Sequence, residues 1–220
     1  MTLPHPDPRT RWQLLCLTIG AKDNPHTGRT IDGTYDELVA AYSGPNRHYH
    51  DLNHILEGID MLDEVGTLAE DPEVLEMAWK WHDETYKTDP SKSKDNELVS
   101  AANAFKALRE LSVPDRFCVD VMATIMPTLH TYIPKKFDHK LIVDIDLWRL
   151  SAIPEKFDEY SEMIRLEYGA PVDAYQIARA EFFHKFLQNR PSIYLTDYFK
   201  ERYEAPAQAN LKRAMVILAK

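Results

Sequence analysis

The sequence contains few cysteines: Cys16 and Cys118 are the two among its 220 residues. They form no Cys-x-x-Cys pair, and both lie within apolar patterns of helical period. Disulfides are typical of oxidising compartments, so two isolated cysteines of this kind predict buried free thiols in a reducing one. We therefore expect a cytoplasmic protein.

Long apolar runs are also absent from the sequence. No stretch approaches the roughly 20 apolar residues that a membrane-spanning helix needs. Residues 1–5 do not begin the charged and then apolar pattern of a secretion signal. The chain has neither a Gly-rich or Ser-rich linker nor an internal repeat. We therefore predict one domain over residues 1–220 and no membrane partner.

Positive charge is in deficit, because 26 Lys and Arg stand against 35 Asp and Glu, for a formal net charge of −9. The basic residues are scattered along the chain. A protein that binds extended nucleic acid usually carries a basic patch, so we do not expect such a partner. A small phosphorylated substrate, held by a metal ion and a few local cations, remains compatible with this charge.

Helical periodicity runs through nearly the whole chain, whereas no alternating apolar pattern is long enough to predict a strand. We therefore predict an all-α helical bundle. Pro127 is expected to kink the sixth helix. The predicted helices cover residues 12–19, 35–42, 46–65, 73–83, 96–111, 115–130, 139–150, 154–168, 173–188 and 205–218.

The dipeptide His82-Asp83 closes an apolar run and combines an imidazole with a carboxylate, which suits Mn, Fe, Co, Ni or Zn. His54 lies on the preceding predicted helix. In an antiparallel hairpin, His54 lies about 16 Å before the end of its helix, and His82 about 14 Å after the start of the next. The hairpin therefore brings His54, His82 and Asp83 to one level.

A fourth ligand is expected from the most apolar predicted helix, which contains Asp144 and Asp146. A buried unpaired acid is costly, and a metal ion is one way to stabilise it. Residues two apart on a helix point to nearly opposite sides, so at most one of the two is expected to face the ion. We prefer Asp146 and keep Asp144 as its alternative.

Five segments of the chain form a recognisable pattern: RHYHDLNHI at 47–55, WHDETY at 81–86, DNELVSA at 95–101, TLH at 128–130 and DIDL at 144–147. Together they resemble the HD-domain superfamily of metal-dependent phosphohydrolases, and most closely a bacterial family of predicted HD-type phosphohydrolases. The resemblance implies an HD-type bundle with a central metal site held by His54, His82, Asp83 and Asp146. It also implies a metal-binding core at about residues 46–151, with C-terminal helices at about 154–220 packed on it.

Two glutamates and a histidine are candidates for catalysis. Glu97, within the DNELVSA block, is the better general acid or base, and Glu84 is the second candidate. His130 lies near the end of its predicted helix, at a level about 10 Å from that of Asp146. We therefore place His130 at the mouth of the pocket, where it meets substrate, rather than on the same ion.

Four residues are candidates for substrate binding. A guanidinium fits phosphate well, which favours Arg47. On the predicted helix 46–65, His50 is four residues before His54 and shares its face, so it could reach the ion or the substrate, or orient His54. Tyr86 could donate a hydrogen bond to substrate. Asn96 lies beside Glu97.

Together these features predict hydrolysis of a nucleotide or another small phosphate ester, with one divalent ion (Mn, Mg, Fe, Co, Ni or Zn) activating a water. Two alternatives stay open. A module could bind a nucleotide without turnover, or a di-iron oxygenase could use the same scaffold. The second would need extra histidines, for which His130 and His139 are poorly spaced. The sequence also leaves open a homo-oligomer.

Overall fold

The computed structural model describes residues 6–88, 95–169, 171–188 and 190–218. Within these ranges the chain forms ten α-helices and no β-strand, which confirms the all-α prediction. No helix in them has the length and apolar content to cross a membrane. The helices are α1 Pro8–Thr18, α2 Ile31–Tyr42, α3 Leu52–Val65, α4 Pro72–Trp81, α5 Asn96–Glu110, α6 Asp115–Ile125, α7 Phe137–Leu147, α8 Pro154–Tyr168, α9 Val172–Gln188 and α10 Asp197–Leu218.

Side-chain caps explain where several helices begin. The Asp71 carboxylate accepts from the N–H of Val74, and Pro72 occupies the first helical position of α4. The Asp51 carboxylate accepts from the N–H groups of Asn53 and His54, so α3 begins at Leu52. Such caps satisfy N–H groups that the helix itself leaves unpaired. The predicted start near residue 46 is therefore wrong, and residues 46–51 precede the helix.

Two helix boundaries, near Pro127 and near Pro206, also differ from the prediction. The sixth helix stops at Ile125, and a 3₁₀ turn that contains Pro127 follows in place of a kink. His130 then adopts a left-handed backbone conformation with φ of 56°. The last helix begins at Asp197 rather than near residue 205, with Pro206 inside it.

One hydrophobic cluster contains buried residues from all ten helices. Burying each large apolar side chain contributes roughly 1.5–3 kcal/mol before conformational entropy is subtracted. The core therefore fixes the helices that carry the candidate site. Its largest fully buried side chains include Trp12, Trp79, Phe157, Phe183 and Phe199.

Helices α3 and α4 approach each other closely because Gly58 has no side chain. A Cβ atom there would lie 1.9 Å from Cζ2 of Trp79. The Trp79 indole N–H donates to the carbonyl of Ile55 at 2.9 Å. Its ring also stacks on His82, with centroids 4.3 Å apart, and lies 5.0 Å from the ring of His54. Trp79 thus packs between the two helices and positions both histidines.

Two buried carboxylates fix α7. Asp138, in its first turn, accepts from the N–H groups of Glu70 and Asp71 at 2.8 Å each. Asp144 is fully buried and accepts from the N–H groups of Leu195 and Thr196 at 2.7 Å each. The helix that carries Asp146 is therefore attached both to the start of α4 and to the segment before α10.

Candidate metal centre

Four side chains from three parts of the chain meet in one buried cluster that could hold a metal ion. His54 comes from the first turn of α3, His82 and Asp83 from the end of α4, and Asp146 from α7. One ligand atom of each lies within 4.8 Å of those of the other three. The hairpin prediction is confirmed at its main point, because the two Nε2 atoms of His54 and His82 are 3.4 Å apart.

The distances within the cluster suit a first-row divalent ion. Four ligands at roughly 2.1 Å from a tetrahedral ion lie about 3.4 Å from one another. Nε2 of His82 lies 3.1 Å from Oδ2 of Asp83 and 3.6 Å from Oδ1 of Asp146. Nε2 of His54 lies 3.8 Å and 3.6 Å from the same two oxygens. The four donors can therefore close around one ion.

The ligand atoms are held in place by neighbouring groups. Nδ1 of His82 lies 2.8 Å from the carbonyl oxygen of Trp79, so a proton on Nδ1 leaves the Nε2 lone pair directed into the cluster. The backbone N–H of Asp83 donates to the hydroxyl of Tyr42, which in turn donates to the carbonyl of Lys80. This support fixes the segment in which the histidine and the acid are adjacent.

The electrostatics of the cluster favour a positive charge beside its two acids. Burial lowers the pKa of His82, but the charges of Asp83 and Asp146 outweigh that effect and raise it to about 10. The pKa of His54 is lowered, chiefly by burial. Burial opposes ionisation of Asp83, yet His82 and His50 hold its pKa below the usual range. Protonated His82 thus compensates the acids, a role that a divalent cation would take over.

Asp83 and Asp146 also line a cavity of about 290 Å³, close to the smallest volumes of ligand pockets. Glu97 lines the same cavity, and its Oε2 atom is buried without a hydrogen-bond partner among the described residues. Burial, aided by the charges of Asp83 and Asp146, raises the pKa of Glu97 to about 7. A larger cavity of about 410 Å³ borders His54 but none of the other three ligand candidates.

His50 lies beside the cluster, although not as predicted from a shared helix face. It precedes α3, and its Nδ1 atom is 2.6 Å from a carboxylate oxygen of Glu167. The other oxygen of Glu167 accepts from the N–H groups of His48, Tyr49 and His50. Nε2 of His50 is 3.9 Å from Asp83, and its ring stacks on Tyr86 at 4.0 Å. Both rings line the cavity.

His130 lies closer to the ion site than the sequence predicted. Its Nε2 atom is 2.9 Å from Oδ2 of Asp146, so the expected separation of about 10 Å between their levels is wrong. The cause is the end of α6 at Ile125, after which the 3₁₀ turn redirects the chain. His130 lines the cavity and contacts a ligand candidate, but it is outside the group of four.

Two candidate residues for substrate binding, Arg47 and Asn96, contact backbone groups. Arg47 donates to the backbone carbonyls of His50, Asp83 and Glu84, so its guanidinium supports the segment that follows α4. It does not line the cavity. The Asn96 amide pairs with both backbone groups of Lys87. Neither residue lines the cavity, so these contacts give their predicted substrate-binding roles no support, and those roles stay predictions.

Glu84 does not line the cavity of Asp83 and Asp146. Its carboxylate accepts from the Thr85 hydroxyl and from the Asn103 amide. It lines a separate cavity of about 200 Å³. The turn after α4 directs successive side chains to different sides, so the structure does not support a catalytic role for Glu84, which stays a prediction.

The partners of the two acids of α7 favour Asp146 as the candidate ligand. Asp146 belongs to the cluster, whereas both oxygens of Asp144 accept hydrogen bonds from residues 195–196. Burial raises the pKa of Asp144 to about 6, against the effect of its hydrogen bonds to Thr196 and Leu195. Asp144 is therefore a structural acid.

Sequence reasoning gave no role to two charged residues on buried helix faces. Glu167 follows Tyr160 and Ile164 along the buried stripe of α8. Arg179 lies between Tyr175 and Phe183 on the buried stripe of α9, and it lines the metal cavity. A charge at helical spacing within an apolar stripe is the pattern that could have revealed both.

Comparisons of the chain with family models, with curated proteins and with solved structures found no match. The resemblance to HD-type phosphohydrolases therefore stays a prediction. A proposal about function therefore rests on the arrangement of the site.

Proposed function

We propose that the protein is a metal-dependent phosphohydrolase that acts on a nucleotide or another small phosphate ester. The observation that carries this proposal is the cluster of His54, His82, Asp83 and Asp146, whose two acids line a cavity that Glu97 also lines. A divalent ion bound there would polarise a phosphoryl oxygen and lower the pKa of a water.

Glu97 is the residue best suited to move a proton. Its pKa of about 7 leaves it near half protonation at neutral pH, where an acid or base of this kind is most effective. The Glu97 side chain lines the cavity, and its buried Oε2 atom has no hydrogen-bond partner among the described residues. His130 is held against Asp146 and borders the same space, so it can orient that acid or contact the substrate.

A mononuclear site is favoured over a di-iron centre. The described residues contain one group of potential ligands, and it has four members. Neither His130 nor His139 belongs to it. Two nitrogen and two oxygen donors can satisfy one divalent ion, and the cavity leaves space for substrate beside them.

The test is metal analysis of the purified protein, followed by a phosphate-release screen over nucleotides and other phosphate esters with Mn, Co or Mg. We expect turnover that a chelator stops and that His82→Ala abolishes together with bound metal. His26→Ala is the matched control, because His26 is exposed and outside the cluster. No turnover with any metal, while one nucleotide still raises the melting temperature, would contradict hydrolysis and favour a binding module.

A further inference from the structure

Arg179 is a nearly buried cation that lines the same cavity as Asp83 and Asp146. It is 9 % exposed and extends from α9 into a group of aromatic rings. One of its terminal nitrogens donates to the Tyr160 hydroxyl at 2.6 Å. Its guanidinium carbon lies 5.0 Å from the ring centre of Phe182 and 4.5 Å from that of Phe183. Its Nε atom is buried and has no hydrogen-bond partner among the described residues.

Two other partly buried arginines pair with acids, whereas Arg179 pairs with none among the described residues. Arg11 pairs with Glu76 and Arg29 with Glu110, each through short N···O contacts. Within the described part of the chain, Arg179 contacts no carboxylate closely enough for an ion pair; its neighbours are tyrosines and phenylalanines. Burying a charge without a counter-charge is costly unless a ligand compensates it.

Arg179 also borders an outer groove, but the acids there already have partners. Glu162 pairs with Arg165, and Asp158 pairs with Arg213. The cavity on the other side contains Asp83 and Asp146, which are ligand candidates for the ion. With a divalent ion in place, its charge would balance those of Asp83 and Asp146. Arg179 then adds one positive charge, and Glu97, near half protonation at neutral pH, is the remaining acid among the described residues that line the cavity. This cavity is therefore suited to an anion.

We propose that Arg179 binds an anionic phosphate group of the substrate. The guanidinium of Arg179 borders the cavity, and its planar shape suits two-point contact with phosphate. The organic part of the ligand would pack on cavity rings that include Tyr86, Tyr168 and Phe182. The volume of about 290 Å³ favours a small phosphate monoester over a long polyphosphate chain. This inference rests on the proposed function and names the substrate class of the same site.

Inorganic phosphate is the probe for the test, and the measurement is calorimetric titration of the full chain loaded with Mn²⁺. Arg179→Gln is expected to weaken phosphate binding about 10- to 100-fold, the usual effect of losing a hydrogen bond to a charged group. Its manganese content should remain that of the unmodified protein. Arg165→Gln is the matched control, because this half-exposed arginine of α8 pairs with Glu162 and should leave phosphate affinity unchanged.

Arg179→Lys keeps the positive charge and loses the planar guanidinium, so we expect a phosphate affinity between those of the unmodified protein and Arg179→Gln. If the glutamine variant fails to fold, the lysine variant and Tyr160→Phe, which removes the hydroxyl partner of Arg179, provide the answer. Phosphate affinity unchanged in every folded variant overturns the inference, as does a manganese-loaded protein that binds no phosphate. Arg179-dependent phosphate binding without turnover of any ester would instead contradict hydrolysis alone and leave the anion site standing.

Discussion

A carboxyl group that is buried without a partner keeps its proton to higher pH than the same group in water, because burial disfavours the charged form. Glu97 is such a group, with a pKa of about 7 against an ordinary value of 4.5. Its protonation state therefore changes in the range where the proposed reaction would run, which allows two separate tests.

The first test concerns activity. If Glu97 takes up a proton during the reaction, the rate of metal-loaded protein should rise with pH through the pKa of Glu97. The ion compensates the charges of Asp83 and Asp146, so this midpoint should lie below the metal-free pKa of about 7. Glu97→Gln should lower kcat by roughly 100-fold or more and leave bound metal unchanged. The measurement is kcat against pH together with metal content. A glutamine variant with full activity would remove Glu97 from the mechanism.

The second test concerns stability without metal. The folded protein binds more protons at Glu97 than the unfolded chain between pH 4.5 and about 7, so the free energy of unfolding falls as pH rises through that window. The loss should be on the order of 2–3 kcal/mol. Glu97→Gln should remove this part of the pH dependence and be the more stable protein at pH 8. Denaturant titrations of both proteins at several pH values measure the effect. The same pH dependence of the unfolding free energy in both proteins would contradict it.

The two acids of α7 should respond differently to the same substitution. Asp146→Asn removes a ligand atom and should abolish tight metal binding while the helices remain. Asp144→Asn disturbs three hydrogen bonds from residues 195–196 and should cost about 1–3 kcal/mol of stability with metal binding retained. Metal content and chemical denaturation measure both variants. The reverse outcome would make Asp144 the ligand.

At the scale of elements, the α3–α4 contact permits a prediction at Gly58. Gly58→Ala would place a methyl group against Trp79 and force the helices apart, at a cost of roughly 1–3 kcal/mol or more. Because the Trp79 ring touches both histidines, metal affinity should fall as well. Gly66→Ala is the control, since a Cβ there meets nothing within 4 Å. Equal stability and metal affinity in the two variants would contradict this account.

The sequence predicted the hairpin because helix rise is regular and adds up along the chain. The prediction from the sequence was wrong just outside the helices, where a single hydrogen bond can decide the path of the backbone. Asp51 ends the loop by capping α3, and this signal, an acid three residues before His54, is visible in the sequence. The loop contacts of Arg47 with the carbonyls of Asp83 and Glu84 have no local signal, because they join residues far apart in the chain.

For the whole molecule, the metal ion should act as a link between three elements. Its candidate ligands come from α3, from the end of α4 and from α7. A ligand present at 100 times its dissociation constant adds about 2.7 kcal/mol to stability. For a chain of this size the melting temperature should rise by roughly 5–10 °C. Calorimetry with and without a chelator measures this, and Asp146→Asn should show no rise. A metal-independent melting temperature in the unmodified protein would contradict the link.

The sequence did not reveal how later helices complete the site. Glu167 on α8 binds the backbone of residues 48–50, and Arg179 on α9 enters the cavity. Local periodicity places each residue on a buried face, but it does not say which partner that face meets. That information lies in the packing of the whole chain.

This packing has a consequence for the order of events during synthesis. All four ligand candidates precede residue 147, but Glu167 and the residues that hold Asp144 emerge from the ribosome later. A nascent chain that already carries the ligands therefore lacks the contacts that fix α7 and residues 48–50. Chains ended after Ser151 should bind Mn²⁺ far more weakly than the full chain in equilibrium dialysis, and equal affinity would contradict this. The ion would then be acquired after translation has passed Thr196, from the pool of free metal in the compartment where the finished chain folds.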